Sequence, residues 1–74
     1  MSDMSARIAK AFTNKGYTYG DLSEITGIPK SALQRYVTGV TEKIPIPRLE
    51  SIAHALDTTP QYLMGWTDDP YDYD

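Results

Sequence analysis

The sequence predicts an all-α fold, a compact bundle of five short helices around one small core. Three observations point there. Apolar residues recur at helical spacing in five separate stretches. Glycine, proline and threonine stand between those stretches, where helices stop and start. No stretch alternates apolar and polar residues as a half-buried strand does, and no segment repeats another.

The first helix is expected over residues 3–14. Met4, Ile8, Ala11 and Phe12 fall at i, i+4, i+7 and i+8 and form one apolar stripe. Ser2 or Asp3 caps its start, and Gly16 follows as a left-handed stop. The second spans residues 19–26, with Thr18 as N-cap and Asp21 three positions on, a variant of the capping box. Leu22 and Ile25 are expected to point inward, and Gly27 to end the helix with positive φ.

The third helix spans residues 29–38. Pro29 suits its first position, where a missing N–H costs nothing. Ala32, Leu33, Tyr36 and Val37 make its inner stripe, and Gly39 ends it. A loop from Val40 to Pro45 follows, anchored by Ile44. The fourth helix spans residues 47–56, opened by Pro47 and striped by Leu49, Ile52, Ala53 and Leu56. Asp57 then stands where a glycine is usual. The fifth is one or two turns over residues 60–65, capped by Thr59, with Trp66 expected to cover the end of the core.

Composition excludes several functions. With 74 residues there is room for one domain. A chain this short buries only about 60% of its unfolded surface, too little to build a deep catalytic cleft. Without cysteine there is no disulfide and no thiolate metal site, and His54 alone cannot hold zinc. Asp21 and Glu24 on the second helix read as solvated charges rather than a catalytic pair. The expectation is no catalytic residue, no metal and no cofactor. No apolar run resembles a signal peptide or approaches the ~20 residues of a membrane span. A soluble, cytoplasmic, nucleoid-associated domain is expected.

The net charge of −3 hides a segregation. All seven basic residues lie in residues 1–48 beside four acids; residues 49–74 hold six acids and no Lys or Arg. A basic front and an acidic end suit a phosphate-facing surface followed by a separate segment. Residues 1–66 are therefore read as one domain and 67–74 as an acidic flexible tail or linker, too poor in aliphatic side chains to pack.

The informative stretch runs from Tyr19 to Tyr36, YGDLSEITGIPKSALQRY. Two short helices flank a turn at Gly27. Ser23 is small where the helices nearly touch, and Leu22, Ile28, Leu33 and Tyr36 lock the pair. With that inner face fixed, Lys30, Ser31, Gln34 and Arg35 share an outer arc of about 140° on the third helix. Two cations, an amide and a hydroxyl can offer hydrogen bonds to base edges.

These residues, followed by PRLESIAHALDTTPQYLMGW over 47–66, resemble the lambda-repressor-like, Cro/CI-type helix-turn-helix family, the XRE family. The resemblance covers residues 5–66, and the second block resembles the family's fourth- and fifth-helix signature. The ending LMGW resembles phage and Gram-positive repressors, in which an acidic linker leads to a second domain.

The resemblance implies a lambda-repressor-like domain whose helix-turn-helix is made by helices 2 and 3. It implies sequence-specific binding of a double-stranded DNA operator and repression by occupancy. Lys30, Ser31 and Arg35, with Gln34 beside them, match positions that meet base edges. Thr38 and Lys43 match the loop that contacts the DNA backbone. Tyr19 stands where the family usually has Gln and, with Thr18, is assigned to phosphate, as is Lys15. A lone domain carries few cations, so a homodimer is expected, its recognition helices about 34 Å apart on a near-palindromic site. Relatives suggest pairing near the fifth helix and the C-terminal end, or through a further C-terminal domain.

One departure carries its own expectation. Many relatives place Arg late in the first helix and Glu late in the third; here those positions hold Phe12 and Val37. The pair is expected to pack together, an exchange of ion pair for apolar contact that is often neutral or stabilising. The alternative function is a protein-binding module, such as an antitoxin-like partner, favoured by the net acidity, the Asp-rich end and the missing Gln at position 19.

Overall fold

The computed structural model describes residues 3–41 and 43–71. Five helices follow one another: α1 (Asp3–Lys15), α2 (Tyr19–Thr26), α3 (Lys30–Thr38), α4 (Ile46–Ala55) and α5 (Pro60–Leu63). No described residue is in a strand. The expected caps of α1 lie outside what is described: Ser2 is not among those residues, nor is the side chain of Asp3.

Helix ends follow local chemistry. The capping box at Thr18 is complete: its hydroxyl accepts from the Asp21 N–H at 3.0 Å, and the Asp21 carboxylate accepts from the Thr18 N–H at 3.0 Å. Pro29 and Pro45 each stand one place before a helix, their carbonyls accepting the first helical bonds. Thr59 caps α5 by accepting from the Tyr62 N–H at 3.2 Å. Asp57 ends α4 at φ 56, the one described non-glycine residue in the left-handed region. The Thr58 N–H then reaches back to the Ala53 carbonyl at 2.9 Å, closing the helix as a Schellman turn does.

Each helix gives the core at least one side chain with essentially no exposure: Ile8, Leu22, Leu33, Leu49, Ile52 and Leu63. α1 packs on α3 and α5, α2 on α3 and α4, and α4 on α5. Every amphipathic stripe thus meets at least one other, in a molecule measuring 29 × 23 × 21 Å.

Two expected core positions lie elsewhere. Ile25 is 53% exposed. In an eight-residue helix centred on Leu22, a residue at i+3 is rotated about 60° off the buried line, and it stands there beside exposed Asp21 and Glu24. Trp66 is 76% exposed rather than capping the core. Gly65, at φ 83, turns the chain and the Trp66 N–H bonds back to the Gln61 carbonyl, so the indole points away.

The acidic segment 67–71 lies against the domain. The Thr67 carbonyl and Asp68 carboxylate accept from Arg7, and the Pro70 carbonyl accepts from the buried Thr58 hydroxyl at 2.9 Å. Tyr73, expected in the flexible tail, lies outside the described residues.

Candidate nucleic-acid interface

The turn between α2 and α3 is held by side chains of α2. The Ser23 hydroxyl donates to the Ile28 carbonyl at 2.7 Å. The Thr26 hydroxyl donates to the Leu22 carbonyl at 2.7 Å and accepts from the Ile28 N–H at 3.2 Å. Gly27, at φ 76, takes the left-handed step that lets the chain double back. Ser23 therefore does more than leave space: its hydroxyl ties the turn to α2.

That rigid turn fixes the rotation of α3. Ala32, Leu33 and Tyr36 are buried, and Val37 is half-buried against the core. The opposite face carries Lys30, Ser31, Gln34 and Arg35, all exposed. Thr38 follows on the same face, its hydroxyl bonded to the Gln34 carbonyl at 2.7 Å. The structure brings these five together on one helix.

The remaining expected residues lie outside α3. Thr18 is exposed at the start of α2, and Lys43 is exposed in the loop after α3. Tyr19 is half-buried, its ring 5.0 Å from that of Phe12 and tilted by 33°. Phe12 is thus an aromatic partner for the first residue of α2. Phe12 and Val37 both pack on the core.

Lys15 is engaged elsewhere, in an ion pair with Asp57 at the end of α4. The hydrogen bond to Asp57 holds the Lys15 ammonium above its ordinary pKa, while that same bond holds Asp57 below the ordinary carboxylate value. Both groups are in solvent, so the pair adds little to stability.

Two cations that sequence reasoning assigned no role are also held. The Arg7 guanidinium donates to the carbonyls of Tyr62 at 3.0 Å and Thr67 at 2.8 Å, and to Asp68 at 2.8 Å, and its charged carbon lies 4.6 Å from the Tyr62 ring centre. Arg48, in the first turn of α4, donates to the Tyr36 hydroxyl of α3 at 3.1 Å. Neither contact has a periodic signal, because each joins residues on different helices.

The comparisons agree with this geometry. The family model for the Cro/C1-type HTH DNA-binding domain matches residues 7–69. Among solved structures, the chain is similar to SinR in a SinR protein/SinI protein complex, at 28% identity and a TM-score of 0.77. That match covers 82% of this chain and 59% of the other, so the chain spans less than two thirds of that relative. It is equally similar to the master regulator for biofilm formation SinR in complex with DNA, at 28% identity and a TM-score of 0.77, covering 82% of this chain and 97% of that one. Comparison with curated protein sequences gives no match.

Proposed function

Because the chain belongs to the Cro/C1-type helix-turn-helix DNA-binding family, we propose that it is a sequence-specific transcriptional repressor that binds double-stranded DNA through α3. The observation that carries this reading is the division of α3 into two faces. Ala32, Leu33 and Tyr36 are spent on the core, which leaves Lys30, Ser31, Gln34 and Arg35 in solvent with nothing to fold against. α3 lies in the major groove, where Arg35 and Lys30 can meet guanine O6 and N7 and Gln34 an adenine edge. Thr18, Tyr19, Thr38 and Lys43 flank it toward the phosphates and set register rather than sequence. Lys15 joins them only by leaving Asp57. The similarity to a SinR structure that contains DNA supports the reading.

The active unit is a homodimer on a near-palindromic operator, since two recognition helices one helical turn apart double a small set of contacts. The pairing surface is the α5 end or a further C-terminal domain. Residues 1–66 are the DNA-binding domain, and 67–74 the tail or linker, whose first part, 67–71, folds back on Arg7 and Thr58. The protein acts in the cytoplasm on the nucleoid, carries out no reaction and uses no cofactor. A protein-binding reading has one observation in its favour, the similarity to a SinR chain in complex with SinI.

Selection of duplexes from a random library separates the two. The repressor reading expects an inverted repeat with half-sites about 10 base pairs apart, bound with steep salt dependence. Recovery of no shared sequence, with a flat salt dependence, overturns it.

A further inference from the structure

A cavity of about 510 Å³ lies between α1, the end of α4, α5 and the acidic segment 67–71. Its size falls within the ~300–1,000 Å³ usual for small-molecule sites. Leu56 and Thr58 are buried in its wall, and Ala11, Tyr62 and Pro70 are half-buried there. No residue of α3 lines it. The wall made by the acidic segment is tied down. The Pro70 carbonyl accepts from the Thr58 hydroxyl at 2.9 Å, and the Asp68 carboxylate accepts from Arg7 at 2.8 Å.

The charges around the cavity do not cancel. Asp57 is held by Lys15, and Asp68 by Arg7. That leaves Lys10 and Asn14, four positions apart on α1 and so neighbours on its surface. Among the described residues, neither side chain makes an ion pair or a hydrogen bond. One unanswered ammonium beside one amide suits a single negative charge with a second donor at hand. The apolar part of the wall has its own character. Tyr62 comes from α5 and Tyr71 from the acidic segment, while Ala11, Leu56 and Pro70 bring no polar side-chain atom. Tyr71 is 65% exposed, which leaves ring surface still to be covered. Tyrosine rings favour a flat ring set offset or edge-on against them.

We infer that this cavity binds a small aromatic carboxylate: the ring lies against Tyr62, Tyr71 and the aliphatic wall, and the carboxylate accepts from Lys10 and Asn14. A cationic ligand would meet Lys10 with both neighbouring carboxylates already engaged, and a neutral one would leave Lys10 unanswered. Asp68, Pro70 and Tyr71 belong to the segment that leaves the domain. The ligand is therefore held by that segment and α1 together, and it fastens one to the other.

The test titrates the full chain, without DNA, with phenylacetate, 4-hydroxyphenylacetate and indole-3-acetate, each beside its neutral amide, and follows the backbone amide resonances. At least one acid should bind with a Kd on the order of 1 mM or tighter and shift amides within 10–15, 56–58 and 68–71. Its neutral amide should bind more weakly. Lys10→Gln should weaken the acid by about two- to fivefold, the worth of an exposed ion pair, and leave the amide unchanged. Tyr71→Ala should weaken acid and amide alike. Both side chains are exposed, so unchanged urea midpoints should show that the fold is kept. No shift at those amides with any acid up to about 10 mM overturns the site. So does an acid that its amide matches, or one whose binding folded Lys10→Gln leaves intact. None of these outcomes depends on whether the chain binds DNA.

Discussion

Arg7 and Asp68 meet at 2.8 Å although 61 positions separate them in the chain. The contact joins the first helix to the acidic segment, and its energetics are lopsided. The Asp68 carboxylate is almost fully exposed, so the ion pair contributes little. The Arg7 side chain is only 18% exposed and also satisfies the carbonyls of Tyr62 and Thr67. The bonds to the Thr67 carbonyl from Arg7 and to the Pro70 carbonyl from Thr58, more than the charge pair, hold the segment.

Arg7→Ala should therefore destabilise by about 1–3 kcal/mol, the cost of leaving partly buried carbonyls without a donor. Asp68→Asn should change stability by less than about 1 kcal/mol. Urea midpoints of the two variants check the ordering. Amide exchange of residues 67–71 should rise in Arg7→Ala and stay near the parent in Asp68→Asn.

Arg35→Ala should cost about 1–3 kcal/mol of operator affinity, or roughly 5- to 150-fold, and relax preference at one base position. Its side chain is exposed on α3, so the urea midpoint should not move. A gel-shift titration on the selected operator and its single-base variants reads both. Equal loss on all sequences would demote Arg35 to a phosphate contact.

Gly39→Ala should destabilise more than Gly27→Ala. Both glycines are left-handed, at φ 81 and 76, so each change costs about 1–2 kcal/mol in backbone conformation. At Gly27 an added Cβ meets nothing within 4 Å, whereas at Gly39 it would sit 2.9 Å from the Ser5 hydroxyl oxygen. α1 must shift or Ser5 must turn, which adds a steric term at position 39 alone. Denaturation midpoints rank the pair.

Val37→Glu should cost several kcal/mol, since a carboxylate would replace a half-buried apolar side chain packed on the core, with no cation supplied. Val37→Glu with Phe12→Arg should recover part of the loss. An unchanged midpoint for the single variant would show that Val37 is not packed against Phe12.

Asp57→Asn isolates the charge of the Lys15 pair, because asparagine also tolerates the left-handed conformation. Asp57 has its pKa lowered in the folded state, so its contribution is present above the unfolded value of 3.8 and fades as pH falls through the lower folded value. Lys15 has its pKa raised, so its contribution is present below 10.5 and fades as pH rises through the higher folded value. The small difference in melting temperature between parent and variant should persist from about pH 5 to 10 and vanish in stronger acid. A difference that survives below pH 2 would assign it to the backbone instead.

The sequence alone determined the helices, their order, and which face of α3 is wet. Those properties are set within one turn: Thr18 and Asp21 cap each other, Gly27 permits the reversal, and the spacing of Ala32, Leu33 and Tyr36 orients the residues between them. Tertiary structure decided what each face meets. Periodicity placed Ile25 inside and Trp66 was expected over the end of the core, but the edge of an eight-residue helix and the turn at Gly65 put them in solvent. It was silent on Arg7 with Thr67, Phe12 with Tyr19, and Arg48 with Tyr36. A helical repeat fixes a side chain's angle about its own axis and carries no information on which helix lies opposite, so partnerships between elements exist only once the core has closed.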